Sequence, residues 1–281
     1  MKIINVTEQA ALQGSAVAVG SFDGVHRGHR QLLSALRRIG AEAGLKTALV
    51  TFDPLPRAVI FPESAPPLIC SVQMRLQLLE RTGAVDYCCV LPFSEQMRQQ
   101  TVEEFVEASL IRRLGMRILV VGENFVCGRG RKGDVAYLTE FGRRYGFSVE
   151  VQPLHTPRGV PRCSSTEARR LIELGELADA ARLLDRAHEM TGVVLGNAGS
   201  KRRSILHVAL DENICIPPED DYLGAARMSG GAGRWRKAML KVCATMPWRR
   251  RIVHLTFTSE HRARAGDALT MRFKQRAVVR T

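Results

Sequence analysis

The chain has 281 residues, 45% apolar and 25% charged, which is enough hydrophobic material for a packed core and too much for a disordered chain. No apolar run approaches the roughly 18–20 residues that cross a bilayer, and residues 1–13 lack the basic start, apolar block and small-residue cleavage site of a leader, so a soluble cytoplasmic protein with no membrane partner is expected. The formal charge of +13 is uneven: residues 186–281 hold 18 Lys+Arg against 8 Asp+Glu, an excess that attracts polyanions without choosing among them.

Through residue 152, short β-branched runs alternate with stretches of helical period, the pattern of a parallel sheet with helices on its faces. Strands are predicted at residues 16–20, 47–52, 86–91, 118–121 and 148–152, and helices at 28–43, 72–81, 102–114 and 135–145. Gly44, Gly83, Gly115 and Gly146 fall just past helical patterns, where a left-handed closing residue is cheapest as glycine. In such doubly wound sheets ligands bind beyond the carboxyl ends of the strands. Two short helices, 164–174 and 177–184, follow around Gly175. A different texture begins at 189–196, and alternating stretches at 205–210, 251–258 and 268–273 then predict a small antiparallel β domain, so the expected domains are 1–185 and 186–281. Residues 228–233 (MSGGAG) read as a loop. Seven cysteines show no CxxC pair and no zinc spacing, so reduced thiols and no structural metal are expected.

The most informative stretch is AVAVGSFDGVHRGHR, residues 16–30. A buried strand runs into Gly20, a glycine-containing loop follows, and His26 and His29 enter the next helix three residues apart, hence on one face. A helix start already offers free N–H groups and partial positive charge, so the pattern predicts a phosphate site, with Gly28 allowing close approach to the backbone. The plainer reading is two surface histidines at a helix start; a zinc pair lacks a visible third ligand. A second group, Ser164-Ser165-Thr166-Glu167-Ala168-Arg169, predicts a helix capped by Ser165 or Thr166 with Arg169 on the same face, which also suits phosphate oxygens. By itself it equally describes an ordinary capped helix. Third come the strand ends Thr51-Phe52-Asp53-Pro54 and Val121-Gly122-Glu123-Asn124-Phe125, the latter followed by the basic glycine run from Cys127 to Asp134. They can hold a planar ring and close over phosphates, or simply be turns.

Taken in order over residues 15–185, VGSFDGVHRGH, TFDP, VGENF with Arg131-Lys132-Gly133-Asp134, and SST-x-x-R resemble the bacterial bifunctional riboflavin kinase/FMN adenylyltransferase family, also called FAD synthetase. The resemblance implies a Rossmann-like nucleotidyltransferase domain followed by a riboflavin-kinase-like β-barrel. It implies adenylyl transfer from ATP to FMN, giving FAD and pyrophosphate with Mg²⁺ on the phosphates, and small-molecule partners; no aromatic stacking platform or recognition motif accompanies the basic excess around Arg249-Arg250-Arg251, so nucleic acid is not an expected partner. On that basis His26, His29 and Arg169 are the expected catalytic residues. Gly20, Ser21, Phe22, Asp23, Gly24, Gly28, Ser165 and Thr166 would bind ATP, and Phe52, Asp53, Pro54, Asn124, Phe125 and Gly128 would bind FMN. Leu55 stands where the family carries a second histidine. In the last third the family's Pro-Thr-Ala-Asn segment reads Leu206-His207-Val208-Ala209, and the glutamate two positions before His254-Leu255 is Ile252. The barrel is therefore expected to persist without phosphorylating riboflavin. Alternatives are a complete bifunctional enzyme, a different mononucleotide acceptor, or a silent flavin- or nucleic-acid-binding regulator.

Overall fold

The structure, a computed structural model, describes residues 1–4, 12–153, 163–200, 203–211, 213–229, 233–243, 251–258, 261 and 263–277. The chain divides into two compact units, Met1–Pro66 with Arg75–Val160, and Pro67–Met74 with Pro161–Thr281. This division by compactness groups the helices near residues 165–184 with the second unit, whereas sequence texture groups them with the first.

The first unit is built on six parallel strands: β1 (Lys2–Ile4), β2 (Ser15–Val19), β3 (Lys46–Phe52), β4 (Tyr87–Leu91), β5 (Met116–Gly122) and β6 (Ser148–Gln152), in the order β1-β4-β3-β2-β5-β6. All five predicted strands are present; β1 is a further three-residue edge strand too short to show a period. Every residue of β2 is buried, as a strand covered on both faces requires. Its helices are α1 (Arg27–Glu42), α2 (Pro56–Ile60), α3 (Val72–Glu80, in this unit from Arg75 on), α4 (Glu95–Arg98), α5 (Val102–Phe105), which continues as a π-helix over Val106–Arg112, and α6 (Val135–Tyr145). α1 forms because Leu32, Leu33, Leu36 and Ile39 recur on one face, and that face is buried while Arg37, Arg38 and Glu42 stay outside. Each such side chain contributes about 1.5–3 kcal/mol on burial. The four predicted closing glycines all have positive φ, between 59° and 75°.

The chain lays β3 and β4 on one side of β2, then returns to place β5 and β6 on the other. The reversal puts a crevice between the carboxyl ends of β2 and β5, the position where open α/β sheets hold ligands.

In the second unit, α7 (Ser165–Glu173) and α8 (Leu177–Leu184) turn at Gly175, whose φ is 77°. Six strands follow: β7 (His188–Ser200), β8 (Arg203–Leu210), β9 (Asp220–Met228), β10 (Arg236–Cys243), β11 (Ile252–Phe257) and β12 (Ala268–Arg276). They close as an antiparallel barrel in the order β10-β11-β8-β7-β12-β9. The barrel was expected; β9 and β10 were not. Alternation sets its interior: Leu206 and Val208, Leu240 and Val242, Val253 and Leu255 point into one core with Tyr222 and Phe273. Met228 ends β9, while residues 230–232 of the predicted loop lie outside the described residues, as do residues 249 and 250 of the basic run. None of the seven cysteines, all among the described residues, forms a disulfide, and Cys70, Cys88, Cys89 and Cys215 are buried. Among the described residues, no helix is long and apolar enough to cross a membrane.

Candidate functional site

The site begins where β2 ends. Gly20 leads into a tight turn in which Phe22 and Val25 adopt left-handed φ of 49° and 41°, and Phe22, Asp23 and Val25 are buried. His26 then returns to extended backbone and caps α1: its Nδ1 accepts the backbone N–H of His29 at 3.3 Å. That bond leaves the proton of the neutral His26 ring on Nε2. The two imidazoles stack at 3.6 Å between centroids and 17° between planes, and Phe22 lies 4.9 Å from His29. The predicted shared face is therefore present. Burial, with help from His26 and Arg75, holds the His29 imidazole well below the usual histidine range. Its buried Nδ1 has no hydrogen-bond partner among the described residues.

Because the sheet is parallel, the ends of β3 and β5 open on the same edge. Phe52 is buried against Phe93, ring edge to face at 5.7 Å, so little of its ring is open for stacking. Asp53 and Pro54, joined by a cis peptide, are exposed, and Leu55 is buried at the start of α2. After β5, Asn124 is exposed and Phe125 half-buried in a turn closed by Phe125 N–H to the Gly122 carbonyl at 3.0 Å. Cys127 and Gly133 exchange two N–H bonds of 3.0 Å and close a loop whose Arg129, Arg131 and Lys132 are exposed. Gly128 is required there: its φ is 73°, and a Cβ would meet the backbone nitrogen of Val102 at 2.9 Å. The first unit thus brings Gly20, Ser21, Phe22, Asp23, Gly24, His26, Gly28 and His29 to the sheet edge that also carries Phe52, Asp53, Pro54, Asn124, Phe125 and Gly128.

Ser165, Thr166 and Arg169 share α7, in the second unit. One expectation needs correction: the cap is Ser164, whose side chain accepts the N–H of Glu167 at 3.1 Å. Ser164 is the residue with extended backbone, at φ −146° and ψ 156°, as a capping residue requires, and Ser165 and Thr166 belong to the first turn.

Sequence reasoning missed Arg75. It is 2% exposed, with Nη1 donating to the Ser21 carbonyl and Nη2 to the Phe52 carbonyl, each at 2.8 Å. An arginine in a mixed polar and apolar helix gives no sign in sequence that it faces inward.

In the barrel, Leu206 to Ala209 lie on β8 and Ile252 opens β11. Ala209 and Ile252 are direct cross-strand partners. Beside Ala209 opens a cavity of about 620 Å³ that includes Glu189, Thr191, Asp211 and Asn213. Glu189 is buried and paired with Arg272 at 2.6 Å, and no Lys or Arg is among the described lining residues. Among the described residues, no group of three or more His, Cys, Asp or Glu could hold a metal ion.

Comparison with known proteins adds to this geometry. Residues 8–167 match the model of the family described as FAD synthetase. The bifunctional riboflavin kinase/FMN adenylyltransferase of Escherichia coli strain K12 is 33% identical over 192 residues, 68% of this chain and 61% of the relative. That of Pseudomonas fluorescens is 35% identical over 188 residues, 65% of this chain and 58% of the relative. The chain therefore matches about three fifths of the length of these curated relatives. A solved structure described as a macrolide-efflux protein from Streptococcus pneumoniae superposes with a TM-score of 0.81 over 99% of this chain and 91% of that chain, at 22% identity, a likeness of fold alone.

Proposed function

The chain belongs to the FAD synthetase family, and on that premise we propose that it is an ATP:FMN adenylyltransferase that has lost riboflavin kinase activity. The observation that carries this reading is the stacked His26–His29 pair at the start of α1, at the carboxyl end of the central strand beside the reversal in strand order.

In this reading a phosphate oxygen of FMN attacks the α-phosphorus of ATP in line, a new P–O bond forms, the bond from the α-phosphorus to the bridging oxygen breaks, and pyrophosphate leaves with the electron pair. The nucleophile is already ionised, so positioning and charge stabilisation suffice. His26 offers its Nε2 proton to phosphate oxygen. His29 stays neutral and acts as a hydrogen-bond donor rather than a cation. The backbone N–H groups at the start of α1 add partial positive charge. The family resemblance alone assigns Ser165, Thr166 and Arg169 to phosphate oxygens, and Asp53, Asn124 and the Gly128 loop to the flavin. The described residues form no cage for a metal; magnesium would arrive on the nucleotide, and no step is assigned to it.

The kinase half of the proposal rests on the opposed pair Ala209 and Ile252. The family's asparagine and glutamate would fall at these positions, which here carry no metal ligand and no base. The adjacent cavity, with carboxylates and no described lining cation, is a poor receptor for a triphosphate.

The test is a pair of chromatographic assays on the purified protein with ATP and Mg²⁺, one supplied with FMN and one with riboflavin. FAD from FMN, with riboflavin unchanged, is expected. FMN or FAD from riboflavin would overturn the kinase half. No product in either assay would overturn the adenylyltransferase half and turn attention to another acceptor or to a silent binding protein.

A further inference from the structure

The turn of residues 20–25 holds a backbone shape that its sequence does not favour. Val25 is β-branched and Phe22 bulky, and residues of either kind leave the left-handed region unless their surroundings over-determine it. Two donors act on a single atom here. The carbonyl oxygen of Ser21, immediately before Phe22, accepts from Thr51 Oγ1 at 3.1 Å and from Arg75 Nη1 at 2.8 Å. Through Nη2 the same guanidinium also donates to the Phe52 carbonyl. One planar fork therefore spans the carboxyl ends of β2 and β3, which a single ammonium group cannot do with the same rigidity.

We propose that Arg75 is the positioning residue of the phosphate turn, tying Ser21 to Phe52 so that residues 20–25 and the following histidine pair keep the geometry that receives nucleotide phosphates. For the identity of the ligand this rests on the adenylyltransferase reading; for the hold on the turn it does not.

The guanidinium of Arg75 is buried where it makes these bonds, and its positive potential is one of the influences that keep His29 neutral.

The experiment uses the full chain with Arg75→Gln, Arg75→Lys and Thr51→Val. Thermal melting reports folding, ring resonances of His26 and His29 without ligand report the turn, and calorimetry with ATP and with inorganic pyrophosphate reports the phosphate site. Steady-state assays separate KM for ATP from KM for FMN. Arg75→Gln is expected to fold, to move both histidine resonances, and to weaken ATP and pyrophosphate binding about tenfold or more. KM for ATP should rise in parallel while KM for FMN stays within about twofold, and Arg75→Lys should recover part of the lost affinity. A folded Arg75→Gln protein with unmoved histidine resonances and unchanged ATP binding overturns the proposal. Where neither Arg75 variant folds, Thr51→Val removes the other donor to the same carbonyl: a smaller loss with the same KM split supports the proposal, and no change in resonances or ATP affinity overturns it. Resonances that move with Arg75 in a protein whose wild type binds neither ATP nor pyrophosphate support the hold on the turn and overturn the adenylyltransferase reading instead.

Discussion

His26 and His29 share a stack but have different electrostatic roles. His26 commits Nδ1 to the cap of α1, which fixes its tautomer. His29 is kept neutral by burial and by positive neighbours. A neutral imidazole donates one hydrogen bond at a defined angle, so removing it should cost a positioned donor. His29→Ala is expected to lower kcat about 100-fold or more, close to the 3 kcal/mol typical of such a loss, while circular dichroism stays unchanged. In the wild type, the His29 ring resonances should remain those of neutral imidazole to well below pH 6.5, where an exposed histidine is half protonated. Titration of His29 near pH 6.5 would contradict the role assigned to its environment. The histidine pair was legible because strand, glycine turn and helix start are all local patterns. Arg75 was not, because its burial depends on which face of α3 meets the sheet end. Three hydroxyls in a row at Ser164, Ser165 and Thr166 likewise made the cap ambiguous by one residue, and only backbone geometry distinguishes them.

At the scale of elements, the parallel sheet was readable because β2 to β5 are mainly apolar runs, each followed by helical sequence that ends near a glycine. In the barrel, β9 and β10 escaped. β9 opens on Asp220 and Asp221 and carries Gly224 at its centre, all signs of a turn, and β10 begins at Arg236 and Lys237 among basic residues. What makes them strands is pairing with distant partners, since β9 joins β12 on one side and β10 on the other. Gly224 permits that closure. A Cβ there would run into the carbonyl of Arg272 on β12 and the side chain of Leu240 on β10. Both obstacles belong to the barrel wall or core, so neither can swing away freely. Gly224→Ala is therefore expected to destabilise the protein by about 1–3 kcal/mol, read as a lower denaturant midpoint. A wild-type midpoint in that variant would mean that the two strands can part without loss.

For the molecule as a whole, the family match ends at residue 167, yet the fold likeness covers 99% of the chain. Inward-facing positions of the barrel follow an apolar alternation, and the opposed pair Ala209 and Ile252, on which the proposed loss of kinase activity rests, lies in its wall. The barrel also holds a buried histidine that makes stability depend on pH. His188 is fully buried, its Nε2 lies 3.0 Å from the Cys215 carbonyl, and burial pushes its pKa down to about 4. In the unfolded chain a histidine titrates near 6.5. Between those values the unfolded state binds the proton and the folded state does not, so the contribution of His188 is fully present above pH 6.5 and is lost as pH falls toward 4. The difference of about 2.5 pKa units corresponds to about 3 kcal/mol. His29, His254 and His261, also lowered, act in the same direction, so a wild-type melting curve alone mixes all four. Denaturant unfolding at pH 7 and at pH 4 should be compared with that of His188→Gln, which can keep a donor to the Cys215 carbonyl but cannot titrate. The variant should be less stable than wild type at pH 7 through altered packing, and should lose about 3 kcal/mol less between the two pH values. An identical loss in both proteins would place the acid sensitivity elsewhere in the chain.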